Sequence, residues 1–137
     1  MPSVKDIDPN RLIAAAAAKL QELPELAPPA WAPYAKTGVH KQRAPEQANW
    51  WFLRSAALLR TLALGRTVGV SRLRTRYGGR KNRGHKPEHR FRGSGAVIRT
   101  SLQQLEAAGF VRTEKGKGRS ITPKGLSFLA KAAKVKQ

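Results

Sequence analysis

Apolar positions recur at helical spacing in five stretches of the chain, and two short β-like runs separate the last two stretches. The first stretch, 8–23, predicts a helix. Asp8 stands as its N-cap and Pro9 takes the first helical position, where a missing N–H costs nothing. Ile13, Ala16, Leu20 and Leu23 make its apolar face. The clearest helix is 44–65. Trp51, Ser55, Leu58, Leu59 and Leu62 share one face, Gly65 supplies a stop, and Trp50, Arg54 and Arg60 project elsewhere. A short helix over 69–77 follows, with Ser71 as candidate cap and a glycine pair closing it. Residues 93–108 predict another helix, capped by Ser94, with Ile98, Leu102 and Leu105 on the core side, Val97 and Ser101 beside them, and Gly109 ending it. Phe110–Thr113 and Arg119–Thr122 flank EKGKG, which has turn chemistry, so 110–122 reads as a β-hairpin. The last helix, 122–135, opens on Thr122 and Pro123 and carries Leu126, Leu129 and Ala133 at helical spacing.

Two segments break this pattern. Residues 24–43 hold Pro24, Pro28, Pro29 and Pro33, which forbid a long helix and predict an arm of extended chain or short turns. Trp31 and Tyr34 are expected to pin that arm to the body. Residues 78–92 have almost nothing to bury, so they read as a loop too polar to fold alone and flexible in the free protein. Short helix, helix, then hairpin is the winged-helix order, here with the basic segment in place of the turn between the two helices. The expected fold is therefore one mainly α domain over 1–137: a winged-helix-like helical domain with a small β-hairpin and an added N-terminal helix and arm. No internal repeat is visible.

Charge changes the picture. The 137 residues include 27 Lys and Arg against 8 Asp and Glu, a formal net charge of +19. That says little about fold and much about partners, because such a surface attracts polyanions, nucleic acid first and anionic membrane second. The charge is densest in RTRYGGRKNRGHKPEHRFRGSG, residues 74–95, with eight Arg or Lys and one acid, Glu88. Guanidinium groups grip phosphate oxygens in pairs, and glycines let the backbone approach a ribose-phosphate chain. The absence of cysteine excludes disulfides, Cys-ligated zinc, iron–sulfur clusters and a thiol nucleophile. The longest apolar run, LIAAAAA at 12–18, is too short to span a membrane, and MPSVKDIDP does not read as a signal peptide. A soluble cytoplasmic protein is expected.

Little else carries chemistry. His85 and His89 stand four apart, a metal-ligand spacing, but only Glu88 is near enough to join them, so phosphate or base contacts are favoured over a metal. The acids are scattered and form no catalytic pair, and GRKNRG and GKGRS lack phosphate-loop spacing. No enzyme activity, cofactor, metal or small-molecule substrate is expected. Arg54, Arg60 and Arg99 admit two readings: solvated side chains whose stems cover apolar neighbours, or one surface that grips a backbone.

WAPYAKTGVHKQRAP at 31–45, NWWFLRSAALLR at 49–60, GVSRLRTRYGGRKNRG at 69–84, GSGAVIRTSLQQLEAAG at 93–109 and KGRSITPKG at 117–125 resemble, in identity, order and spacing, the eukaryotic and archaeal small-subunit ribosomal protein S19e family. The chain's shortness resembles the archaeal members. The resemblance implies a structural protein that binds 16S rRNA in the head of the 30S subunit, touches neighbouring ribosomal proteins, is monomeric when free, and helps the subunit mature. It implies that Trp50, Arg54, Arg60 and Arg99 face rRNA, and that Gly118 and Arg119 match the family's hairpin element. Thr100 stands where many relatives carry a second basic residue. With the basic segments added, the expected RNA-contacting set is Lys36, His40, Lys41, Arg43, Trp50, Arg54, Arg60, Arg72, Arg74, Arg76, Arg80, Lys81, Arg83, Lys86, Arg90, Arg92, Arg99, Gly118 and Arg119. The main rival is a winged-helix DNA-binding regulator reading a major groove with 93–108, although Arg99, Gln103 and Glu106 make a thin base-reading face.

Overall fold

Five helices form among the described residues, and the one expected over 44–65 begins only at Trp50. In the computed structural model, which describes residues 7–38, 41, 45, 48–64, 67–114 and 116–135, these are α1 (Pro9–Leu20), α2 (Trp50–Ala63), α3 (Val70–Arg76), α4 (Gly95–Ala107) and α5 (Pro123–Val135). Ser94 caps α4, its hydroxyl accepting from the Val97 amide at 3.3 Å. Thr122 does the same for α5, accepting from the Gly125 amide at 3.2 Å and donating to the Gly109 carbonyl at 2.7 Å. Asp8 occupies the N-cap position of α1 without a side-chain cap bond, and Gly69, not Ser71, is the N-cap of α3.

The expected core faces of α2 and α4 are buried as read: Trp51, Ser55, Leu58, Leu59 and Leu62, and Val97, Ile98, Ser101, Leu102 and Leu105. On α1 the buried stripe is rotated to Leu12, Ala15, Ala16, Ala17 and Leu20, with Ile13 and Leu23 only packed against it. A run of alanines lets helices approach from more than one side, so spacing alone did not choose the face. Leu126 on α5 is 43% exposed, while Leu129 and Ala132 are buried. The backbone of α5 at Gly125 sits tightly on the Phe110 carbonyl and Ile121, which leaves Leu126 on the outside.

Helix α1 lies across α2 and α5, while α4 packs on α2 and α3. The wing is an antiparallel pair, β3 (Val111–Glu114) and β4 (Gly118–Ile121), with Val111 opposite Ile121 and Glu114 opposite Gly118. Val68, between α2 and α3, exchanges both backbone hydrogen bonds with Arg119, at 3.0 and 2.9 Å, and so ties the wing to the helices. Gly118 at that junction has φ 114°, and a Cβ there would lie 2.6 Å from the Val68 backbone. Only glycine fits.

The basic segment departs from expectation. It forms a second antiparallel hairpin, β1 (Gly79–Arg83) with β2 (Lys86–Phe91), pairing Gly79 with Phe91, Arg80 with Arg90, Lys81 with His89 and Arg83 with Lys86. Strand pairing needs only backbone hydrogen bonds, and Gly84 at φ 75° closes the turn. Polarity hid this ribbon, because it has no apolar face to alternate. Its foot is tight: a Cβ at Gly78 would overlap the Phe91 carbonyl.

The arm also resolves into structure. Two short 3₁₀ turns, Pro24–Leu26 and Ala32–Tyr34, bury Leu26 and Ala32. Trp31 meets Trp51 edge-on at 5.7 Å, although it stays 39% exposed. Tyr34 is 87% exposed and pins nothing, contrary to expectation. The real anchor is Gln104, which accepts from Trp51 Nε1 at 2.8 Å and donates to the Ala27 carbonyl at 2.6 Å.

Candidate nucleic-acid interface

Helix α2 carries a second stripe opposite its core face. Trp50, Leu53, Arg54, Ala57, Arg60, Thr61 and Leu64 follow each other at steps of three and four, so they share one side. Three clefts lie along that side. The first, about 310 Å³, is lined by Thr37, Lys41, Pro45, Trp50, Leu53, Arg54 and Ala57. The second, about 380 Å³, shares Ala57 and adds Arg60, Thr61, Arg76 and Tyr77 with Pro9 and Ile13. The third, about 330 Å³, shares Thr61 and Arg76 and adds Arg72, Leu64, Val68 and Leu73. Neighbouring clefts share wall residues, so the three form a row, here called a furrow, along α2, with α3 beside the last two.

The furrow is cationic and partly dehydrated. The Arg54 guanidinium carbon lies 4.3 Å from the Tyr77 ring centroid. Burial lowers Arg54 from its ordinary value, opposed by Tyr77. Arg54 Nη1 and Arg60 Nε are both buried and have no hydrogen-bond partner among the described residues. The Tyr77 hydroxyl is 3.4 Å from Thr61 Oγ1, which donates to the Ala57 carbonyl. Buried donors without acceptors cost free energy until an acceptor arrives.

The ribbon is a second basic element. Arg80 stands opposite Arg90 and Arg83 opposite Lys86, and like charges facing across strands destabilise a hairpin. One acid relieves this slightly: Glu88 lies 4.0 Å from Arg80, both largely solvated. On the other face Lys81 Nζ is 5.8 Å from the Phe91 ring, and His89 lies 6.1 Å from Phe91. Among the described residues no group of three or more His, Asp or Glu converges as a metal site.

The expected residues separate by role. Lys41, Trp50, Arg54, Arg60, Arg72 and Arg76 come together in the furrow. Arg80, Lys81, Arg83, Lys86 and Arg90 lie on the ribbon; Arg83 Nε donates to the Pro87 carbonyl at 2.8 Å, and Arg90 reaches the Thr75 carbonyl at 3.4 Å. Arg92 reaches the Ser71 hydroxyl at 3.4 Å. Arg74 is turned inward, its Nε donating to the Gly93 carbonyl at 3.0 Å. Arg119 is only 17% exposed and lies 4.0 Å from Glu106, while Gly118 serves the backbone junction. Arg99 is exposed on the outer side of α4 and does not line the three clefts, and Lys36 is exposed on the arm. His40 and Arg43 lie outside the described residues. Sequence reasoning missed Tyr77, Thr37 and Thr61. The signal for the last was the second period on α2, which runs through Thr61 between Arg60 and Leu64.

These features define a mainly α, winged-helix-like protein with a basic furrow and a basic ribbon added to the core. Residues 3–137 match the family model for ribosomal protein S19e. The chain is 45% identical over 136 residues to the small ribosomal subunit protein eS19 of Aeropyrum pernix, covering 98% of this chain and 89% of that one. It is 39% identical to the eS19 protein of Thermoplasma acidophilum, with the same coverage, and 40% identical to the eS19A protein of Schizosaccharomyces pombe, covering 96% and 91%. The chain belongs to the ribosomal protein S19e family, and its role is that of a structural ribosomal protein. No described helix is long and apolar enough to cross a membrane.

Proposed function

We propose that the chain is a cytoplasmic structural component of the small ribosomal subunit that binds 16S rRNA, contacts neighbouring small-subunit proteins and assists assembly, with no catalytic step of its own. The observation that carries this reading is that Arg54, Arg60, Arg72 and Arg76 all line the row of clefts beside α2. Fixed cations beside apolar walls suit a folded RNA that brings several phosphates together, where placement comes from shape. The ribbon supplies a second contact, and RNA phosphates relieve the repulsion between its facing cations. The DNA-regulator reading gains no support from α4. Its outer side carries Arg99 and Glu106, and Glu106 is already engaged by Thr113 at 3.0 and 3.1 Å.

The test is binding to small-subunit rRNA fragments and to duplex DNA of equal charge across a salt series. Each phosphate neutralised contributes about 0.7–0.9 to the slope of log affinity against log salt. One rRNA fragment retained as salt rises, after DNA is lost, supports the reading. Equal, salt-erased binding to both would overturn it.

A further inference from the structure

The first cleft of the furrow differs from the other two in carrying a tryptophan. Its walls divide chemically: Pro45, Trp50, Leu53 and Ala57 are apolar, while Thr37, Lys41 and Arg54 are polar or charged. An all-phosphate ligand would waste the apolar side, and an apolar ligand would strand Lys41 and Arg54. A planar group with polar edges, attached to a phosphate, suits both.

The ring at the cleft is held in place before any ligand arrives. Trp50 lies edge-to-face on Trp51 at 5.5 Å and 78°, and Trp51 is fixed in turn by its hydrogen bond to Gln104. Trp51 is buried in the small cluster with Ala32 and Val97, whereas Trp50 is half-buried and packs only against that cluster's edge. Beside it Arg54 is held on Tyr77 with Nη1 buried and unpartnered among the described residues. A fixed aromatic surface beside a guanidinium on the cleft wall can stack a base while the guanidinium donates to its polar edge or its phosphate.

Resting on the RNA-binding reading above, we propose that the Trp50–Arg54 cleft receives one unpaired nucleobase of the RNA strand, stacked against Trp50, with the adjoining phosphate on Lys41 and Arg54. A duplex cannot fill it, because paired bases stay within the stack and an A-form helix presents chiefly phosphate and ribose. The volume, about 310 Å³, falls at the small end of ligand pockets, roughly 300–1,000 Å³. That leaves room for one base together with its phosphate. The second and third clefts, where Arg60, Arg72 and Arg76 gather, then carry the strand's backbone onward.

The test uses the full chain and three probes read by fluorescence anisotropy at matched salt: a short single-stranded RNA, the same strand with abasic nucleotides, and an RNA duplex. The intact strand is expected to bind about tenfold or more tightly than the abasic strand, the scale of base–aromatic stacking. Trp50→Ala should bring the intact strand down to the abasic level, and Trp50→Phe should keep most of the difference. Equal binding of intact and abasic strands by the unaltered protein would overturn the proposal while leaving RNA binding in place, and this comparison does not depend on any variant folding. Binding to none of the probes at low salt would overturn the RNA reading and this inference together. Tighter binding of the duplex than of the single strand would also overturn the inference alone.

Discussion

The Arg54 guanidinium sits 4.3 Å from the centre of the Tyr77 ring, joining the middle of α2 to the residue that follows α3. Arg54 is therefore a packing residue as well as a cation of the furrow, and it will not behave like Arg60. A cation–π pair of this kind contributes about 0.5–2 kcal/mol. Arg54→Ala and Tyr77→Ala should each lower the urea midpoint, and a double-mutant cycle should give a coupling of about 1 kcal/mol. Arg60→Ala removes a buried Nε that has no partner among the described residues, so it should cost less than Arg54→Ala. A coupling indistinguishable from zero would return Arg54 to the class of simple surface arginines.

Gln104 joins α2, α4 and the arm through two hydrogen bonds, to Trp51 and Ala27. Gln104→Ala leaves the indole N–H of a buried tryptophan without its acceptor, at a cost of about 1–3 kcal/mol. In a Trp51→Phe background the same substitution should cost less, because no indole donor is left stranded. Thermal melts of the four proteins check this, and equal costs in both backgrounds would contradict it.

Glycines at the wing should differ sharply. Gly116, at φ 79° with open space around it, should tolerate alanine at about 1 kcal/mol of backbone strain. Gly118→Ala adds direct overlap with the Val68 backbone and should cost several times more, breaking the tie between wing and helices. Denaturant titrations of both variants decide the point.

No described side chain of the β1–β2 ribbon lies in the buried core. Replacing residues 80–90 with an Asn-Gly turn should leave unfolding free energy within about 1 kcal/mol, since isolated hairpins are marginal in water. Amides of the ribbon should exchange much faster than those of α2 and α4, despite being paired. The same deletion should make the salt dependence of RNA binding shallower by about 0.7–0.9 for every phosphate the ribbon neutralises. Strong protection of the ribbon in the free protein would show that it is held by more than its own backbone bonds.

The helical body was legible because α2 and α4 keep a strict 3.6-residue period: Leu58 and Leu62 meet Ile98, Leu102 and Leu105 in the main core, and Trp51 meets Val97 in a smaller cluster. Capping was legible where Ser94 and Thr122 precede a helix directly. The ribbon was not, because its pairing is carried by backbone groups that sequence polarity does not report. Tyr34 misled for a related reason: an aromatic among prolines signals burial on average, yet here Ala32 turns inward and Tyr34 outward. The basic residues were all visible, but their partition was not. Arg74 and Arg119 look like their neighbours in sequence, yet Arg74 is turned inward onto the Gly93 carbonyl and Arg119 is held at the wing junction by its backbone bonds to Val68, partners brought close only by the fold.

The most direct measurement is the salt dependence of binding to a small-subunit rRNA fragment for the unaltered protein and for an Arg60→Ala, Arg72→Ala, Arg76→Ala variant. All three line the furrow, and the one buried atom among them, Arg60 Nε, has no partner to lose, so the variant should still fold, which its thermal melt checks. The account predicts weaker binding and a slope shallower by about 2–3, near one unit for each arginine taken off a phosphate. An unchanged affinity and slope in a folded variant would contradict it, and the RNA would then have to lie on some other face of the protein.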